Sequence, residues 1–331
     1  MRKNKAFFDA LYNQYNRRGL LHPDPLEFLR QWPADVRERE VGALLASCFA
    51  YGNVQAILKN LQKLFAIMPL PRTYILAATP QKLRRDFKHF KYRFTTAQEL
   101  ADFLLSIQKI LRRYGTLETC FTSGLKDTDR TACSALKNFA AQLRQAGAGG
   151  SLVPDPQKGS ALKRLNLFLR WMVRQDEVDP GGWQVPPRLL IVPLDVHMHR
   201  CARWLGLTKR NSANMKTALE ITRSLARFCP QDPVKYDFCI TRFGIHPALQ
   251  EETLSANASR AKQSHPPKQT GRRHVAKKQT LLHPKPVQRA AHKSRGTANP
   301  QTGQTHAAKK RTLLPRTKAG TAPGKNPRSK R

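Results

Sequence analysis

Apolar positions recur at helical spacing through most of the first 250 residues. Over 97–114, Leu100, Phe103, Leu104, Ile107, Ile110 and Leu111 fall on one side of a predicted helix. The same reading predicts helices over 37–50, 54–68, 130–145 and 215–228. Asp24 followed by Pro25, and Asp232 followed by Pro233, have the cap-then-proline form that opens a helix, the second running over 232–243. No alternating strand of useful length appears. The segment 188–192, RLLIV, comes nearest and reads as an extended connection. The pattern therefore predicts an all-α body.

The most informative stretch is 159–206. Leu162, Leu165, Phe168, Leu169, Trp171, Met172 and Val173 cover more than half of a helix circumference, as expected of a rod buried on most sides. Ser160 is the expected N-cap, and the helix should end near Asp176. The remaining strip carries Lys163, Asn166, Arg170 and Arg174, a polar ridge that faces either solvent or phosphate. A turn, DEVDPGGW, and the extended RLLIVP then deliver the chain to Asp195, the expected N-cap of a helix over 196–205 that closes at Gly206. If the two helices pack side by side, the amine of Lys163 and the carboxylate of Asp195 meet. Spacing alone leaves Asp195 open between helix cap and catalyst.

Composition divides the chain. From Thr253 to Arg331 there are 20 Lys and Arg but no Asp, Glu, aromatic, Ile or Met residue. Such a segment buries too little apolar surface to offset its ordering entropy, so 251–331 reads as a disordered cationic tail and 1–250 as the folded body. Of the chain's 59 Lys and Arg, 39 remain in the body against 22 acidic residues, a net charge of +17. The tail repeats itself imperfectly, QTGRRHVAKKQTLL from Gln269 and QTGQTHAAKKRTLL from Gln301. Charge of this kind fits salt-sensitive binding to DNA or RNA better than a membrane anchor, for which no amphipathic helix or lipidation signal is present.

Other chemistries find little support. Six cysteines lack C-x-x-C or any metal-cluster spacing and read as reduced thiols of an intracellular protein. The first residues carry charge without the apolar core of a signal peptide, and the longest uncharged run, 41–58, is broken by Gly42, Gly52, Asn53 and Gln55. A cytoplasmic, nucleoid-associated protein is expected. Phosphate loops, dinucleotide fingerprints, H-E-x-x-H and G-x-S-x-G are missing. Asp176, Glu177 and Asp179 form a conceivable magnesium cluster, but they equally match Arg170, Arg174 or Arg188 as ion partners. His197 and His199 lie on different helix faces, and Trp183 reads as a lid on the core. No metal and no cofactor is expected.

The run VPLDVHMHRCARWLGL resembles the segment of the helix-hairpin-helix DNA glycosylase superfamily in which a V/P-x-D-x-H-V/M pattern carries the catalytic aspartate, with Asp195 and His197 at the matching positions. EVGALLASCFAYGNVQAILKNLQKL from Glu40 is similar to the superfamily's early helix pair, and DPVKYDFCITRFGIHP from Asp232 to its late helix, so the resemblance spans about Val36 to Pro247. The chain departs from the pattern in three places. Its hairpin reads PDPQKGSALK where L-P-G-V-G is typical, Cys48 and Phe49 stand where a gap-filling glutamine is usual, and the four-cysteine cluster of many relatives is absent.

The resemblance implies a two-lobed helical body with a cleft between lobes, and an enzyme that turns a damaged base out of duplex DNA and cuts its N-glycosidic bond. Asp195 would stabilise the cationic sugar, and Lys163, in lyase-capable members, would be the nucleophile. The amides from Gly159 and Ser160 onward, with Arg164, Arg170, Arg174 and His197, would contact the nucleic acid, and RNA stands as a second possible partner. The alternative is a non-catalytic nucleic-acid-binding protein that keeps the fold.

Overall fold

The computed structural model of the chain describes residues 4–245, with side chains to Arg242. The tail assigned to 251–331 lies outside the described residues. In chain order the helices are α1 (Lys5–Tyr15), α2 (Val36–Cys48), α3 (Val54–Ile67), α4 (Pro71–Ala77) and α5 (Pro80–Asp86). A two-stranded antiparallel ribbon follows, β1 (Lys91–Tyr92) against β2 (Thr95–Thr96). Then come α6 (Ala97–Tyr114), α7 (Leu117–Thr122), α8 (Cys133–Gln145), α9 (Lys163–Val173), α10 (Val196–Trp204), α11 (Met215–Ala226) and α12 (Asp237–Ile245). The described residues are thus mostly helical, as the apolar pattern predicts, and no helix among them is long and apolar enough to cross a membrane.

The central element is α2, buried on every side from Glu38 to Cys48. It packs against α9, α4 and α7. Two of its buried residues are glutamates, and each closes the start of another helix. Glu38 accepts from the backbone N–H groups of Arg72 (2.7 Å) and Thr73 (3.0 Å), supplying the cap that α4 lacks from its own N-cap residue Leu70. Glu40 accepts from the N–H groups of Leu117 (2.9 Å) and Glu118 (3.2 Å) at the start of α7, and from Trp183 Nε1 (3.0 Å). The first-turn donors of a helix need outside acceptors, so these carboxylates replace water in a dry position. Trp183 itself is buried between Phe121 and Phe168, the lid on the core that the sequence suggests.

Burial pushes the Glu40 carboxyl from its ordinary 4.5 up to about 7, against the downward pull of its three donors. A carboxyl raised in the folded state binds its proton more tightly there than in the unfolded chain. Its contribution is therefore most favourable below pH 4.5 and is lost as pH rises through about 7. Urea unfolding between pH 4 and 8 should show this loss, on the order of 3 kcal/mol. Glu40→Gln should remove that share of the slope, and an unchanged slope in the variant would refute the assignment.

The C-terminal half of α9 ends in a buried ionic network, which corrects the expectation that Arg170 and Arg174 face phosphate or solvent. Both arginines are 4% exposed. Arg170 donates to Asp179 (3.1 and 2.9 Å) and to Asp237 (2.6 Å). Arg174 donates to Asp179, to Asp176 (2.8 Å) and to Asp232 (2.8 Å). Their polar strip is real, but the 176–179 turn and the 232–237 segment fold over it and match each guanidinium with carboxylates. Asp176 and Asp179 are thereby engaged as ion partners. Asp232 serves both ways, its Oδ2 facing Arg174 and its Oδ1 accepting from Val234 N at 3.2 Å, but the residues it opens do not continue as the helix expected over 232–243. Residues 233–236 form turns, and the helix begins at Asp237.

Candidate active site

At its other end α9 starts in an unusual way. Gly159 is left-handed (φ 69°), and so is the N-cap residue Leu162 (φ 48°), a conformation that costs a side-chain-bearing residue about 1–2 kcal/mol. No side chain caps the helix. Ser160, the expected cap, instead pairs in an antiparallel bridge with Asn214, and Met215 N donates to Gly159 O at 3.4 Å, so the segment lies along the start of α11. Ala161 and Leu162 are buried by that docking, and Asn166 Nδ2 returns to Ala161 O at 2.9 Å. The first turn then carries two cations, Lys163 and Arg164, where the helix macrodipole favours anions. Neither capping nor charge placement here serves helix stability.

The start of α10 faces this turn. Buried Ile191, Val192 and Leu194 anchor the extended connection, and Val192 N donates to Thr222 Oγ1 of α11 at 3.0 Å. Asp195 caps α10 as expected, Oδ1 accepting from Met198 N at 2.8 Å. Its second oxygen, Oδ2, lies 3.2 Å from Lys163 Nζ. The lysine side chain is 32% exposed and the aspartate 25%, so both groups can be reached from solvent. An ion pair this open contributes about 0–1 kcal/mol. It does not offset the strained, uncapped start of α9 that brings the amine there.

Arg164, next to Lys163 in the chain, turns to α2 and the residues that follow it. Its Nη1 donates to Cys48 O at 2.8 Å, and its guanidinium lies over the Tyr51 ring, 5.3 Å from the centroid. It thus fastens the start of α9 to the end of α2 and has one face on an aromatic ring. Gly159 and Ser160 are exposed, and a Cβ on Gly159 would meet nothing within 4 Å, so the backbone there is open to approach. His197 is half-buried, its Nδ1 without a hydrogen-bond partner among the described residues, while His199 Nε2 contacts Arg210 O at 2.9 Å.

Of the sequence-derived candidates, Lys163 and Asp195 come together, with Gly159 and Ser160 on the approach to α9 and Arg164 engaged by Cys48 and Tyr51. Arg170 and Arg174 belong to the buried network at the far end. Tyr51 was not apparent from periodicity, since it lies between helices in the breaker run Tyr51-Gly52-Asn53. A cleft of about 380 Å³, lined in part by Arg18, Arg30, Arg39 and Glu177, lies beyond the C-terminal end of α9 and shares no residue with the Lys163–Asp195 pair.

Comparison with known proteins finds no match among curated proteins or solved structures. Residues 24–246 match a family described as a protein of unknown function, DUF2400. The match takes in every helix from α2 onward and both members of the Lys163–Asp195 pair, and this chain therefore belongs to the DUF2400 family.

Proposed function

We propose that the protein is a DNA base-excision glycosylase-like enzyme whose chemistry is carried by Asp195 and Lys163. The observation that carries this reading is the 3.2 Å approach of a solvent-reachable amine to a carboxylate, held by a helix start that stability does not account for. The resemblance of 192–207 to the helix-hairpin-helix glycosylases supplies the reaction class and, with it, a two-lobed body. Damaged duplex DNA is the proposed substrate, and the cationic tail would hold the enzyme on it and so on the nucleoid.

In this reading the base, once extruded, leaves with the electron pair of the N-glycosidic bond. The sugar becomes cationic at C1′, opposite the Asp195 carboxylate, which stabilises it electrostatically. Lys163 passes its ammonium proton to the departing base, the amine so freed forms the C1′–N bond, and the surplus proton of that adduct goes to Asp195 or to water. Ring opening gives an imine, which borohydride reduces to a stable amine. The amides around Gly159, and Arg164 once released from Cys48, would hold a flanking phosphate.

The test is trapping. The chain is incubated with duplexes carrying 8-oxoguanine, uracil, thymine glycol or an abasic site, and borohydride is added. A covalent adduct is expected with at least one substrate and should be absent in Lys163→Ala. An adduct that persists in Lys163→Ala removes the lysine from the chemistry, and the absence of both adduct and base release across the panel removes the enzyme reading.

One observation favours a second reading, a nucleic-acid-binding protein without catalysis. Both Asp195 oxygens are engaged, one by the α10 cap and one by Lys163. That reading expects salt-sensitive binding and no product from any lesion.

A further inference from the structure

We propose that the edge formed by α5 and the β1–β2 ribbon is a nucleic-acid-gripping surface, with Arg84, Lys88 and Lys91 on phosphates and Phe94 inserted into the base stack. The proposal rests on the DNA reading above for its choice of partner, but not on any chemistry at Lys163 or Asp195.

Between 82 and 93 the chain carries six Lys or Arg residues and one acid, Asp86. Lys82 and Arg85 pair with Asp86. Arg84, Lys88 and Lys91 are exposed and make no ion pair among the described residues. Such a row of unneutralised cations is the footprint that a polyphosphate backbone fits.

At the end of this row stands Phe94. The strand register pairs Tyr92 with Thr95, so Arg93 and Phe94 alone form the ribbon's connection, with Arg93 left-handed at φ 50°. Phe94 is 74% exposed, the most exposed large apolar side chain among the described residues. The others, Ile67, Leu70, Val196 and Trp204, lie on other elements, so Phe94 is a single projecting ring and no part of an apolar face. A lone ring amid cations matches one step of a base stack better than a lipid surface, which needs a broad apolar face.

The ring stands on a firm base. Tyr92 is buried and its hydroxyl donates to Tyr51 O, while the Tyr51 hydroxyl lies 2.7 Å from Thr95 Oγ1 and donates to Tyr92 O at 3.3 Å. Arg93 lies over the Phe94 ring, 5.6 Å from its centroid. Gly52 makes room for this arrangement, since a Cβ there would come within 2.9 Å of Arg93 Nη1. Tyr51 also carries Arg164 on its ring, so the ribbon is joined by direct contacts to the turn that bears Lys163.

The test uses the full chain, in the Asp195→Asn background so that turnover is slow beside binding. A duplex carries 2-aminopurine beside a one-base gap, and both fluorescence and binding are followed against salt. Binding should change the 2-aminopurine signal, and Phe94→Ala should lose most of that change. The triple variant Arg84→Gln, Lys88→Gln, Lys91→Gln should reduce the slope of log K against log salt by about 3. A full signal in Phe94→Ala, or an unchanged slope in the triple variant, overturns the proposal. So does Phe94-dependent binding to phosphatidylglycerol vesicles with no Phe94 effect on DNA. Failed trapping at Lys163 with both signals intact counts against the excision reading alone, whereas successful trapping with both signals missing counts against this surface alone.

Discussion

Replacing Asp179 with alanine should destabilise the fold by about 3–5 kcal/mol, the range observed when one partner of a buried ion pair is removed. Asp179 has no exposed surface and accepts from Arg170 through Nε and Nη2 and from Arg174 through Nη1. Its loss strands parts of two guanidiniums that cannot shed their charge and cannot reach water. The remaining carboxylates do not fill the gap, because Asp237 meets Arg170 from α12 while Asp176 and Asp232 meet other nitrogens of Arg174. Domains have about 5–15 kcal/mol in total, so Asp179→Ala should approach unfolding at room temperature. Urea midpoints would measure this, with exposed Glu177→Ala as a comparison expected within about 0.5 kcal/mol of the parent. A midpoint for Asp179→Ala equal to that of Glu177→Ala would mean that the network is dispensable.

Asp195→Asn should lower base release by about 10²–10³-fold while leaving thermal stability nearly unchanged. Asparagine caps helices about as well as aspartate, so it can still accept from Met198 N and keep α10 in place. It cannot stabilise a cationic sugar by charge. Asp195→Ala should lose the same chemistry and, in addition, about 1 kcal/mol of cap. Single-turnover base release measured beside a melting curve separates the two roles. Parental rates in Asp195→Asn would leave Asp195 as a cap alone and move the chemistry to another group.

The parts of this architecture that announce themselves in the sequence are those with long periods and local signals. The helix Ala97–Tyr114 is read to its ends, because its apolar side repeats for five turns and Thr96 with Glu99 forms a capping box at its start. The meeting of Lys163 with Asp195 follows from two successive helix starts, and needed only that α9 and α10 begin near one another. What is not legible is partnership. Periodicity assigns Arg170 and Arg174 an angle on a helix, but their carboxylates arrive from a turn and from residues 67 and 58 positions away. Asp24-Pro25 and Asp232-Pro233 look alike, and each aspartate accepts from the N–H two residues on and pairs with an arginine, yet the first opens a 3-10 helix and the second a run of turns, a difference that the dipeptide does not encode. Elements of seven residues or fewer, α4, α5, α7 and the ribbon, are too short to show a period.

The paired glutamates of α2 have a consequence for how the protein yields. Fraying of α4 or α7 would withdraw the donors from Glu38 or Glu40 and leave a carboxyl group short of hydrogen-bond partners in a dry interior, so neither short helix can peel away cheaply. Segments that elsewhere would open first are thereby bound to the fate of the most buried helix, and the two ends of α2's neighbourhood should come apart in one cooperative event.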